Sequence, residues 1–290
     1  MAKVVTVGSS TPAYRVSKTI ITIFLIALAI FMLTPFIWMI GASLKKEIHV
    51  FSNKMGWFPN YWYPDNYLRV LNLKGSGTNY HFLLAYWNSI KVSVTATAVA
   101  VSSACLAGYA FAKLKFRGNH VLFLIYLSQM MIPSQLTIIP RFVIFSEIGL
   151  VNNHLSLILP KIVAVSSTFM MRQAFLGTPN ELREAAKIDG AGEFRIFFQI
   201  MLPLIIPTIA ALCTTQFMGS WNAYMDPLIF INDKTLMTLP LALDKFSSDM
   251  GTQYGKTMAA CCMTTLPVFI VFLCGQKYFM KGLTVGAVKG

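Results

Sequence analysis

Twenty-two consecutive residues from Thr19 to Ile40 carry no charged side chain, and no other feature constrains the chain as much. About 20 apolar residues at 1.5 Å rise cross the ~30 Å hydrocarbon core of a bilayer. Further uncharged runs follow. Only 12% of the residues are charged and 56% are hydrophobic, whereas a soluble domain carries near 25% charge. These proportions exclude intrinsic disorder and a soluble enzyme. Arg15 and Lys18 precede the first run, and Lys45 and Lys46 follow it. The run is too long for the apolar core of a signal peptide, so it reads as a retained helix.

Six spans are predicted, at about 19–40, 92–111, 121–140, 155–171, 204–225 and 257–276. Between the first two lies an aromatic segment with Trp57, Phe58, Tyr61, Trp62, Tyr63 and Tyr67, suited to a folded loop at the membrane interface. The second span is rich in Ala, Ser and Val, which lets helices approach closely and places it in the centre of the bundle. The third contains Pro133 and Pro140; the fourth contains Lys161 near its start, whose ammonium would snorkel to the interface. Pro203 and Pro207 divide the uncharged stretch 196–225 into an amphipathic helix and the fifth span, and a polar loop fills 226–256. The resulting body covers 19–280, with tails at 1–18 and 281–290. The expected fold is an all-α integral membrane protein.

An even number of spans puts both termini on one side. With the termini inside, the inner segments hold 13 basic and 4 acidic residues, against 9 and 7 in the outer loops. Lys and Arg are enriched in cytoplasmic loops, so both termini are expected in the cytoplasm. The same rule accounts for the net charge of +13, and no nucleic-acid-binding motif accompanies it. Cys105, Cys213, Cys261, Cys262 and Cys274 lie in apolar runs, and the four histidines are isolated, so no metal site is expected.

Residues 178–203 stand apart. Thr178 and Glu181 have the spacing of a capping box, with Pro179 at the first helical position. Leu182, Ala185, Ala186 and Asp189 fall on one helical face, and Gly190 is the natural stop. A second helix is expected from Glu193, with Phe194, Phe197, Phe198 and Met201 on one face. An ordinary interhelical loop would have no need of so regular a cap, bend and apolar stripe.

Glu184-Ala185-Ala186, Asp189-Gly190-Ala191 and Leu202-Pro203, so spaced, resemble the EAA signature of permease subunits of binding-protein-dependent ABC importers. Phe58-Pro59, Asn66-Tyr67, Ile132-Pro133-Ser134-Gln135 and the ending Gly286-Ala287-Val288-Lys289-Gly290 resemble the carbohydrate branch, in particular its MalG-type (maltose-permease-like) members. The resemblance implies a bacterial cell-membrane permease with a cytoplasmic EAA coupling helix between the fourth and fifth spans. It implies four kinds of partner: an ATPase subunit dimer, a second homologous permease, an extracytoplasmic solute-binding protein and a sugar substrate. ATP and Mg would be bound by the ATPase, leaving this chain without cofactor or catalysis. Glu184, Ala185, Ala186, Asp189, Gly190, Ala191 and Pro203 would couple the two.

Two further sites are expected. The loop holding Ser247, Asp249, Gly251, Gln253 and Tyr254 would contact the binding protein, as the resemblance suggests, although it also reads as a solvated connector. Ser134, Gln135, Trp221, Asn222 and Tyr224 have the aromatic and polar character that suits a sugar path. Trp and Tyr also fit an interface belt. The stretch Gly251–Thr257 only mimics a phosphate-binding loop, having three residues between its glycines where four are needed. The rival readings are a permease for a polyol, peptide or lipid-linked compound, and a secondary transporter, which would be expected to carry acids inside its spans.

Overall fold

A computed structural model describes residues 12–51, 56–71, 81–251 and 253–287. The tail at 1–11, the last three residues and the side chain of Asp249 lie outside the described residues. In chain order the helices are α1 (Pro12–Ser43), α2 (Asp65–Val70), α3 (Phe82–Lys113), α4 (Asn119–Ser128), α5 (Ser134–Glu147), α6 (Leu155–Ile158) and α7 (Val165–Leu176). They continue as α8 (Asn180–Ile188), α9 (Glu193–Ile196), α10 (Leu202–Leu204), α11 (Ile206–Trp221), α12 (Met225–Phe230), α13 (Leu239–Met250) and α14 (Tyr254–Ala287). Helices are the regular structure of the described residues, as expected.

Among the described residues, four stretches are long and apolar enough to cross a membrane: Tyr14–Ser43, Phe82–Lys113, Leu155–Leu176 and Tyr254–Gln276. The expected third span is not one straight helix. It breaks after α4, and α5 turns away by 98°. Pro133 causes the break, because a residue before proline is pushed out of the helical region, and Ile132 is extended (φ −90°, ψ 115°). At the division predicted between the amphipathic helix and the fifth span, the chain bends by 81° where α10 meets α11. The expected polar loop at 226–256 is largely helical, forming α12, α13 and the start of α14.

The chain divides into two compact units, Met1–Val70 with Met250–Cys262 and Leu71–Asp249 with Met263–Gly290. In the first unit, the Asn66 amide donates to the Ser43 and Lys45 carbonyls at 2.8 Å each. Tyr67 meets the Ser43 hydroxyl at 2.7 Å. The Asn66-Tyr67 pair thus closes the C-terminal end of α1. Glu47 accepts from the Tyr254 and Gly255 amides at 2.7 and 2.9 Å, an anionic cap on the first turn of α14.

In the second unit, α3 is central. Its small and polar residues Ser89, Ser93, Ala96, Ala100, Ala104 and Gly108 are buried, and it packs against α7 and α11. On another side of this unit, Arg141 of α5 pairs with Asp226 of α12, its guanidinium 5.0 Å from the Phe230 ring centroid. Partly buried pairs of this kind couple by about 1 kcal/mol. A double-mutant cycle with Arg141→Met and Asp226→Asn, read by thermal unfolding in detergent, is expected to show that coupling. Strictly additive losses would refute it.

Candidate coupling site

Helix α7 ends at Leu176, and the chain passes through Gly177 and Thr178 to an extended Pro179 (φ −59°, ψ 135°) before α8 begins. The expected capping box is not made. The Thr178 hydroxyl donates back to the Phe175 carbonyl at 2.7 Å, and α8 has no side-chain cap bond. Pro179 stands before the helix instead of in its first turn. Lys113 holds this entry, donating to the Thr178 carbonyl at 2.8 Å and to Asn180 Oδ1 at 2.6 Å.

The exit of α8 matches the expected stop. Gly190 has φ +79°; its amide donates to the Lys187 carbonyl at 3.0 Å and that of Ala191 to the Ala186 carbonyl at 2.9 Å. These two bonds make a Schellman motif, which turns the chain sharply at low cost only where the residue accepts a left-handed backbone.

The face predicted for α8 is largely open, while the stripe predicted for the second helix is split. Of Leu182, Ala185, Ala186 and Asp189, only Ala186 is buried. It enters a cluster with Tyr109, Met171, Phe175, Ile196, Phe197 and Met201. Glu184, Ala185, Asp189 and Gly190 are exposed, and Ala191 is half-buried. After α9 the helix widens into a π-turn over Phe197–Met201 before α10. Pro203 supplies the reason, since its ring opposes the carbonyl four residues back and donates no hydrogen bond, so the turn before it opens. The widening breaks the aromatic stripe: Phe197 and Met201 are buried, while Phe194 and Phe198 face outward. At the hairpin tip Ile188 is 87% exposed, an apolar side chain offered to solvent that periodicity alone does not single out.

The charges converge on Glu193. Arg183 donates to its Oε1 at 2.5 Å, Lys187 stands 2.6 Å from the same oxygen, and the Tyr109 hydroxyl donates to Oε2 at 2.7 Å. Burial on its own would raise the Glu193 carboxyl, but bonds from Lys187, Tyr109 and Arg183 hold it down at about 2. Burial alone would also lower Arg183, and its bonds to Glu193 and Tyr109 leave it raised. A depressed carboxylate contributes stability that is complete above its unfolded value near 4.3 and is lost as pH falls toward the folded one. The hairpin is therefore expected to keep its hydrogen-exchange protection down to about pH 4.5 and to lose it below. Loss centred near pH ~6 would contradict this assignment.

Sequence reasoning misses Tyr109, Lys113, Arg183, Lys187 and Glu193 as members of this site. Arg183 and Lys187 share a helix face at i, i+4, which is a local signal, but their distance to Tyr109 is set only by the fold. The remaining expected residues are dispersed. Trp221 is 1% exposed, donates to the Thr264 carbonyl at 3.2 Å and packs on Tyr86 and Phe217. Asn222 is exposed just past the end of α11, and the Tyr224 hydroxyl donates to Asp244 at 3.0 Å. Ser134 and Gln135 open α5 and are exposed. Ser247 lies exposed on α13, and Gly251 adopts φ +54°. The Gln253 carbonyl accepts from the Thr257 amide at 3.2 Å. The Tyr254 ring meets Phe51 edge-on at 4.8 Å.

The chain belongs to the family described as binding-protein-dependent transport system inner membrane component, matched over residues 100–285. It is 39% identical over 209 residues to the arabinooligosaccharides transport system permease protein AraQ of Halalkalibacterium halodurans, covering 71% of this chain and 75% of that protein. It is 33% identical over 281 residues to AraQ of Bacillus subtilis, covering 96% and 98%. The fold matches a chain of a bacterial ABC transporter involved in the import of the acidic polysaccharide alginate, with a TM-score of 0.81 at 22% identity, covering 94% of this chain and 99% of that one.

Proposed function

We propose that this chain is the membrane-spanning permease subunit of an ATP-driven importer for a sugar or oligosaccharide delivered by an extracytoplasmic binding protein. The α8–α9 hairpin carries the reading. It presents exposed Leu182, Ile188 and Phe194 around the Gly190 turn, a stiff apolar knob for an ATPase cleft. The four long helices, the bent α4–α5 pair and α11 are read as six spans, with the hairpin and both termini in the cytoplasm. The ATPase dimer binds ATP and Mg and closes; the hairpins move together, and the cavity between this chain and a second, homologous permease turns outward to receive the sugar. Relatives named for oligosaccharide transport support the substrate class. Ser134, Gln135, Asn222 and Tyr224 are candidates for the sugar path. Trp221 could join them only after leaving its place against Thr264. Ser247, Gly251, Gln253 and Tyr254 are candidates for the binding-protein contact.

Reconstitution of the complete complex in proteoliposomes, with labelled arabino-oligosaccharide and the binding protein, tests this reading. Uptake is expected to need both ATP and the binding protein. Uptake that persists without ATP and collapses with the proton gradient would overturn it.

A further inference from the structure

We infer that Glu193 is a positioning residue that locks the coupling hairpin to α3, making α3 the helix that first receives the ATPase stroke. The inference rests on the proposed transport function and adds the route by which force leaves the hairpin. Two ties from α3 grip α8 near both its ends. Lys113 holds the entry through the Thr178 carbonyl and Asn180 Oδ1, at 2.8 and 2.6 Å. One helical turn away, the Tyr109 hydroxyl holds Glu193 at 2.7 Å, and Glu193 in turn grips Arg183 and Lys187 of α8 at 2.5 and 2.6 Å. Residues four apart on a helix share one face, so both ties leave the same face of α3.

Between the ties, Ala186 is packed beside the rings of Tyr109, Phe175 and Phe197, whose centroids lie 5.1–6.2 Å apart. That apolar contact keeps the hairpin in place but resists twisting poorly, because apolar packing is not directional. Charge-assisted bonds in fixed geometry do resist it. Glu193 joins α9, α8 and α3 through one carboxylate, so its loss frees the hairpin to swivel without detaching it.

Tyr109→Phe severs the tie from α3 while leaving the ring cluster filled, and Glu193→Gln removes the charge. Both are assayed in the full reconstituted complex for monodispersity, ATPase co-purification, ATP hydrolysis and sugar uptake. Glu193→Gln is expected to co-purify with the ATPase and hydrolyse ATP, while uptake per ATP falls about tenfold. Tyr109→Phe is expected to fall about threefold, and adding Lys113→Gln to lower it further. Uptake per ATP within twofold of wild type for both single variants would overturn the inference. Loss of ATPase co-purification would also overturn it, making Glu193 a docking contact. If Glu193→Gln does not fold, Tyr109→Phe and its double variant decide alone. A wild-type complex without ATP-dependent uptake would instead defeat the transport reading.

Discussion

Replacing Gly190 by proline is expected to leave the protein inserted in the membrane and to abolish its association with the ATPase. Gly190 has φ +79°, while proline is held near −65° and lacks the amide that Gly190 donates to Lys187. The proline would also push Asp189 out of its near-helical conformation (φ −73°, ψ 4°). The penalty is about 3 kcal/mol or more, enough to depopulate the native bend over a hundredfold. The α9 segment would then leave α8 in a different direction, and the Ile188 tip would no longer be presented. A Cβ at Gly190 meets nothing within 4 Å, so the cost of other substitutions lies in the backbone alone. Gly190→Ala should therefore lose activity through about 1–2 kcal/mol of left-handed strain, and Gly190→Asn should lose less. The ordering Gly, Asn, Ala, Pro is read from ATPase co-purification and from uptake. Normal co-purification of the proline variant would sink the coupling assignment.

The second large effect is expected at Gly108, where α3 meets α7. A Cβ there would stand 2.7 Å from Met171 Cβ and 2.9 Å from the Arg172 amide nitrogen. Backbone cannot swing aside as a flexible side-chain tip does, so the two helices must separate along their length. Gly108→Val is expected to destabilise the protein by about 3 kcal/mol, the upper end for overpacking, measured as thermal unfolding in detergent. Gly219 is the control: it lies within α11, and an added Cβ there meets nothing within 4 Å. Gly219→Ala should stabilise by about 0.5–1 kcal/mol, since alanine is the better helix former. Equal stability of Gly108→Val and wild type would refute the close α3–α7 approach.

The hairpin shows how far local rules reach. Its stop at Gly190 is legible because left-handed backbone is a property of one residue and its immediate neighbours. Its cap is not, because the Thr178 hydroxyl has a competing acceptor at Phe175 and the entry is held by Lys113, 65 residues away in sequence. A uniform helical period predicts the aromatic stripe, and the π-turn before Pro203 changes that period. Trp221 has the look of a sugar platform, yet the Thr264 carbonyl and two rings enclose it.

The sequence by itself determined that the chain is helical and membrane-embedded and that it turns at Gly190 and near Pro203. Each follows from the length of an uncharged run or from one residue's backbone limits, and both act within a few positions. Only the tertiary structure decided which face of α8 is buried, which aromatics of the second helix face outward, and that Tyr109 and Lys113 reach the hairpin from α3. Those outcomes depend on contacts between distant segments, and the energy of such a contact belongs to a pair of residues that no local pattern joins.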